Sequence, residues 1–403
     1  MMEHEFDQVE SKKSPRERRR FSWRSLVLTG LISLFLGMTL TVGAFWLRLG
    51  SNGLSVIQAM TVIRGHFVGD YEWNQVTDMV LDRMVESLGD RWSYYLSRED
   101  YDHVMATRNN SYTGIGVTIS RTQLDAIHII AVMEGSPAED AGIREGDAVT
   151  AVDGEPVNEE SWSGAVEKIR GEQGTNVELT ILDLQGEERT ILVTRQEVHS
   201  NPVDYEMLEG NVGLLRLRNF YSGSSEAFMT GVQALQEAGA RSILFDVRDN
   251  PGGYVKEMTA ILDYLLPEGV IFISRDLEGG EREYTSDANA VDLPFAVLVN
   301  GESYSAAEFF AAQLQESVGA VIVGEPTSGK GYAQQLFPLR NGSAVGISTS
   351  RYFTGGGNSL IGVGITPDAP VELNLEEYLL LLQGNLAPGD DPQIQAALSA
   401  LQQ

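Results

Sequence analysis
The longest hydrophobic block of the chain comes first. Residues 25–47, SLVLTGLISLFLGMTLTVGAFWL, run 23 residues without a charge, and a helix of that length covers about 30 Å of hydrocarbon. Beyond it the apolar positions take a helical spacing: Val56, Ile57, Met60, Ile63 and Phe67 within 54–75, then Val76, Val80, Met84 and Leu88 within 76–88. Such stripes predict packing faces rather than chemistry. A turn and a further helix are predicted over 88–104. Past Asn201 the pattern becomes one of apolar runs alternating with helical stretches. Strands are predicted at 212–217, 242–247, 270–274, 295–299 and 320–323, and helices at 224–238 and 255–266. That alternation implies an α/β core, a sheet covered by helices. Asp390-Asp391-Pro392 is a helix-start signal, and a short amphipathic helix is predicted after it.

The chemistry concentrates in FAVLVNGESYSAAEFFAAQLQESVGAVIVGEPTSGKGYAQ, 295–334. Ser305 stands between a strand and the helix formers that begin at Ala306. There its hydroxyl lies near the free N–H groups and positive end of a helix, a good setting for an oxyanion-stabilised nucleophile. A serine hydroxyl needs a base at neutral pH. Lys330 lies one helix and one strand further on. It can serve if burial lowers its pKa from about 10.4 toward 7 or 8. Its neighbours Gly329, Gly331 and Tyr332 suit a desolvated amine, the nearest upstream carboxylate being Glu325. The amide of Gln334 is placed to orient it. The plain alternative is a helix cap at Ser305 and a solvated charge at Lys330.

Net charge changes the picture in two ways. The 403 residues carry −28, with a pI near 4.5, which argues against nucleic-acid binding. The basic residues nevertheless cluster at Lys12, Lys13, Arg16, Arg18, Arg19, Arg20 and Arg24, just before the apolar run. By the positive-inside rule the N-terminus stays cytoplasmic and the rest is exported, giving a single-pass cell-membrane protein with an extracytoplasmic body. Trp23 and Trp46 fall at the two expected interfaces. A cleaved signal peptide competes with this reading, but the apolar core is long for one and no clear small-x-small site follows. The chain has no cysteine, so disulfides and thiol chemistry are excluded.

NGESYSAAE followed by GEPTSGKGYAQQ resembles the catalytic core of the carboxyl-terminal processing peptidases, or tail-specific proteases. These are serine peptidases with a Ser/Lys dyad, an assisting Gln and an embedded PDZ domain. The resemblance implies Ser305 as nucleophile, Lys330 as general base and Gln334 as the lysine-orienting residue. FDVRDNPGGY, 245–254, resembles the segment whose glycine amides, here Gly252 and Gly253, form the family's oxyanion hole with the amide of Ala306. Val247 replaces the usual Leu. Tyr304 stands where a small residue is common, which affects the substrate pocket. Upstream, YTGIGVTIS and VMEGSPAEDAGIREGDAVTAVDGEPV resemble a bacterial PDZ domain, with Gly114, Ile115, Gly116 and Val117 at its carboxylate-binding loop. Its groove helix is expected at 162–170, with Val166 and Ile169 facing the peptide or the core.

The organisation implied is a basic tail (1–24), a transmembrane anchor (25–47), a helical region (52–110), a PDZ domain (112–198), a crotonase-like α/β peptidase core (199–373) and a C-terminal helical segment (374–403). The function implied is a membrane-anchored serine endopeptidase that takes protein substrates with apolar or unstructured C-termini. A homodimer is expected by analogy only. No cofactor and no metal are expected: there is no HExxH or paired-His spacing, and none of His4, His66, His103, His128 and His199 lies in the α/β core motifs. GEPTSGKG also fits a P-loop. However, Gly331 stands where a Ser or Thr would hold Mg²⁺, and YAQQLFPL does not read as a helix aimed at phosphate. A catalytically inactive, exported PDZ adaptor is the remaining alternative.

Overall fold
A computed structural model describes residues 22–120 and 125–402. The basic cluster 12–20 and His4 lie outside them. The chain divides into two units, at Val76 and Thr77. The first is dominated by helix α1, Trp23–His66, capped by the Ser22 side chain on the N–H of Ser25. Its stretch Trp23–Ala44 is apolar and long enough to cross a membrane, with none of its residues buried. Gly50, at φ 59° and ψ −176°, kinks the helix where the apolar run gives way to the amphipathic one, a conformation open to glycine alone. The helix predicted over 54–75 is interrupted. α1 stops at His66, and α2 begins at Trp73 and runs to Glu86. Gly69-Asp70 breaks the helix, and Phe67, Tyr71 and Trp73 stack edge to face across the break, with centroids 5.8 and 5.9 Å apart.

In the second unit, α3 (Arg98–Arg108) starts at the cap Ser97. A two-stranded ribbon, Ser111–Gly114 against Gln196–His199, leads into and out of the next layer. That layer is a sheet ordered Val117–Ile119, Ile127–Val132, Ala148–Val152, Asn176–Leu182, Glu188–Thr194, with the short strand Glu155–Pro156 beside Ala148–Val152. The short α4 (Pro137–Asp140) and the groove helix α5 (Trp162–Ile169) complete it. Its own core contains Ile127, Val149, Val177, Leu179 and Ile181, all fully buried.

The larger core is a six-stranded sheet ordered Val203–Leu208, Val212–Leu217, Ser242–Asp246, Phe295–Val299, Val321–Gly324, Ala369–Pro370, parallel after its antiparallel first pair. The central runs are apolar throughout because both faces are covered. Ile243, Phe245, Val297 and Val299 enter the cluster under α6 (Ser224–Glu237), α7 (Val255–Leu265) and α8 (Ala306–Val318), where Phe228, Phe245 and Phe310 interlock. Their alternates Leu244, Ala296 and Leu298 face the other way, onto Ile394 and Ala397. α9 (Leu375–Gln383) precedes α10 (Pro392–Leu401), which supplies these two residues.

A second, antiparallel sheet was not evident from the hydropathy pattern. It joins Tyr94–Leu96, Ala344–Thr354, Gly269–Asp276 and Glu281–Ser286, with Tyr332–Pro338 also on Ala344–Thr354. It brings the segment after α2 onto Ala344–Thr354, the strand that also pairs with the one following Lys330.

Candidate active site
Ser305 is the cap of α8 and sits at φ 60°, ψ −122°. That region is nearly closed to residues with a Cβ, and holding one there costs about 1–3 kcal/mol. The surrounding turn is over-determined by hydrogen bonds. The hydroxyl of Ser303 donates to the Val247 carbonyl at 2.7 Å, the N–H of Tyr304 to the Asn250 carbonyl at 3.1 Å, and the N–H of Asp249 to Oδ1 of Asn300 at 3.0 Å. The Ser305 N–H donates to the carboxylate of Glu308 at 2.9 Å.

Glu308 is the organising group. It is completely buried. One oxygen accepts from the Thr327 hydroxyl at 2.5 Å and the Gly329 N–H at 2.7 Å; the other accepts from the N–H groups of Lys330 at 2.9 Å and Ser305 at 2.9 Å. A single carboxylate thereby ties the backbone of Ser305 to the loop that carries Lys330. The sequence reading passed over Glu308, although Ser-x-x-Glu at a helix start is a capping-box signal.

Lys330 leaves that loop with its Nζ over two aromatic rings, 4.7 Å from the centroid of Trp92 and 5.2 Å from that of Tyr304. Burial pushes its pKa down to about 8, with the guanidinium of Arg108 acting in the same direction; Glu308 and Asp90 oppose the shift. These two carboxylates, rather than Glu325, are the ones that act on it. Gly329 (φ 75°) and Gly331 allow the loop to press against 361–364: a Cβ at Gly329 would lie 2.9 Å from the Val363 nitrogen, and one at Gly331 2.5 Å from Ile361 Cγ1.

Gln334 lines the same cleft, but its amide does not hold the lysine. Nε2 donates to the Tyr332 carbonyl at 3.0 Å and to the Ser348 hydroxyl at 3.3 Å. The strand geometry explains this, because Gln334 pairs with Ser348 across the ladder, next to a register shift. Ser305 and Lys330 line one cavity of about 880 Å³. The cavity is walled by Gly253, Gln334 and eight tyrosines, among them Tyr94, Tyr221, Tyr304 and Tyr352.

The glycine pair divides. The Gly252 N–H donates to Oδ1 of Asn250 at 2.8 Å and is therefore spent. A Cβ there would meet the Ala306 nitrogen at 2.8 Å and Ser305 Cβ at 2.9 Å, so Gly252 allows close approach to the nucleophile. Gly253 and Ala306 keep N–H groups that donate to no protein acceptor among the described residues. This corrects the expectation that either glycine amide could serve. The segment is braced from below by Arg248, which is buried. It donates to both oxygens of Asp246 (2.9 and 2.8 Å), to Asp391 at 2.8 Å and to Gln393 at 2.9 Å. Burial alone would raise the Asp246 carboxyl; Arg248 and Arg216 overrule it and hold it well below the usual range. Asp391 also caps α10, so the C-terminal helix is tied to the strand end that leads into Asn250–Gly253.

In the smaller layer, Gly114, Ile115, Gly116 and Val117 line a groove of about 350 Å³ opposite Trp162, Val166 and Ile169 of α5. Gly116, at φ 80°, is required there, because a Cβ would come within 2.4 Å of Ser136 Cβ.

The site thus combines a strained serine at a strand-to-helix turn with a buried lysine lining the same cleft, and a separate layer carries a groove of about 350 Å³. Residues 211–371 match the pattern of Peptidase family S41, and residues 128–183 that of the PDZ domain. The carboxyl-terminal-processing protease of Synechocystis sp. is 31% identical over 332 residues, 81% of this chain and 77% of that one. The protein of the same name from Picosynechococcus sp. is 31% identical over 326 residues, 79% of this chain and 78% of that one. A crystal structure described as an S41 protease from Bacteroides fragilis shares the fold. Its TM-score is 0.54 at 19% identity, covering 83% of this chain and 92% of that one. The chain belongs to the family of carboxyl-terminal-processing proteases.

Proposed function
We propose that the protein cleaves exported protein substrates by a Ser305/Lys330 dyad after docking their C-terminal tails in the PDZ groove. The observation that carries this reading is a buried lysine with a lowered pKa in the cleft of a strained serine. Neutral Lys330 swings off Trp92 and Tyr304 and takes the Ser305 proton as Oγ attacks the scissile carbonyl. The N–H groups of Gly253 and Ala306 receive the oxyanion; losing one such donor costs on the order of 10²–10³ in rate. Lys330 then protonates the leaving amine, and water hydrolyses the acyl-enzyme by the same route. Gln334 acts one step removed, orienting the lysine once it has moved. The groove wall of Ile115, Val117, Val166 and Ile169 suits an apolar tail, whose terminal carboxylate meets the amides of Gly114–Val117. The apolar segment Trp23–Ala44 anchors the chain in the cell membrane once, with the basic end cytoplasmic and the peptidase outside. Homodimerisation stands as an analogy.

The test is the pH profile of kcat/KM on an unfolded protein substrate. The active form has the neutral amine, so activity is expected to rise with pH through about 8 and level off above it. A profile that falls across about pH 6 to 8 would contradict the proposal.

A further inference from the structure
The active-site cleft contradicts the charge of the molecule that surrounds it. The chain carries −28 overall, yet no Asp or Glu lines the cleft; apart from tyrosines, its ionisable wall is His103, Arg108 and Lys330. Arg108, in the last turn of α3, is half-buried, and its guanidinium has one protein hydrogen bond, from Nη2 to the Tyr94 hydroxyl at 3.3 Å. Among the described residues it pairs with no carboxylate. The two acids that act on Lys330 are already committed. Glu308 accepts four protein donors, and Asp90 accepts from the Trp92 N–H at 3.1 Å and the Ser93 hydroxyl at 2.6 Å. A guanidinium held beside a second cation in a tyrosine-walled cleft, with four of its five donors unspent among the described residues, has the chemistry to receive a carboxylate.

We propose that Arg108 is a specificity-determining residue that receives a carboxylate of the substrate, an acidic side chain near the scissile bond or a free C-terminus lying in the cleft. This rests on the peptidase reading of Ser305 and Lys330 and adds the chemistry of what the cleft accepts. The long-range field of so acidic a protein repels such a peptide, so the preference comes from contact. A bidentate pair with Arg108 is worth more there than on an open surface, because the guanidinium is half-buried. The same pair lessens the charge pressing on Lys330, so acidic substrates shift the kcat profile to higher pH than the kcat/KM profile of the free enzyme.

The experiment uses the full chain in detergent and fluorogenic apolar peptides in matched pairs. One series moves a single Asp or its Asn twin through four positions on each side of the cleavage site. A second pair differs only in a free or amidated C-terminus. Rates are read at about pH 9, where most of Lys330 is neutral, for wild type, Arg108→Gln and Arg108→Lys. The expected result is a preference of about tenfold in kcat/KM for the carboxylate at one or two positions. It falls to about one in Arg108→Gln and is partly kept in Arg108→Lys, which retains the charge without the fork. A preference in the Asp series identifies an internal acid as the source, and one in the terminal pair identifies the C-terminus; either supports the proposal. Equal rates within every pair in wild type, or a preference undiminished in Arg108→Gln, overturn it. Should wild type and Ser305→Ala prove equally inactive, the peptidase reading fails separately. Binding of the same pairs to Ser305→Ala by fluorescence anisotropy still decides for Arg108, since equal affinities refute it and a tenfold preference for the acid upholds it.

Discussion

Ser305→Ala is expected to remove turnover almost entirely, a loss of 10⁴-fold or more in kcat, while the protein stays folded and still binds tails. The size follows from the chemistry, because knocking out one member of a catalytic unit costs nearly as much as removing the whole. The fold should tolerate the change. The contact that pins this turn comes from the backbone N–H of Ser305 to Glu308, which alanine keeps. Alanine must still occupy φ 60°, so the strain is inherited rather than relieved. Single-turnover hydrolysis of an unfolded substrate, with tail binding measured in parallel, checks both halves. Equal turnover in the two proteins would sink the dyad and leave a tail-binding adaptor.

The second large effect is expected at a residue that touches no substrate. Glu308→Ala orphans four donors at once, in a position with no access to water. Breaking a buried charge network in this way costs about 3–5 kcal/mol, visible as a lower urea midpoint. It also frees the Lys330 loop from the Ser305 turn, and a misplacement of 1 Å at such a distance costs about 10²-fold in rate. Glu308→Gln is the sharper variant. Its one remaining oxygen satisfies either Thr327 and Gly329 or Ser305 and Lys330, and its NH₂ then faces either two N–H groups or one N–H group and the Thr327 hydroxyl, which can turn to accept. Intermediate stability with activity lowered about 10²-fold is the expected pattern. Wild-type kcat in a Glu308→Gln protein would show that the carboxylate serves the fold alone.

Much of this was legible in the chain, for identifiable reasons. The central strands were readable because burial on both faces makes them continuous apolar runs, as at Ile243–Phe245 and Ala296–Val299. Ser305 was readable because a strand, a tight turn and a helix start leave a serine little choice of position. The second sheet was not. Tyr332–Pro338 and Ala344–Thr354 mix polar and apolar residues on half-covered faces, and their value lies in register. The Ser348 N–H donates to the hydroxyl of Ser93, 255 residues away. Trp92 reaches the Lys330 ammonium by that pairing, which local pattern does not encode. The hydrogen bonds of Gln334 were hidden for a related reason: spacing brings the amide to the cleft, but the strand beside it supplies nearer acceptors. The break between α1 and α2 falls at Gly69-Asp70, a turn signal that outweighs the helical periodicity on either side.

The central claim is that one amine gives up its proton well below the range of a free lysine, and it can be observed without an assay. The chain holds five lysines, Lys12, Lys13, Lys168, Lys256 and Lys330, few enough for each to be resolved by NMR of protein labelled with ¹³C at lysine Cε. Lys330→Met identifies the signal. The account predicts that this one resonance titrates with a midpoint near 8, apart from the others. A Lys330 midpoint at or above about 10.4, the value of a free lysine, would contradict it.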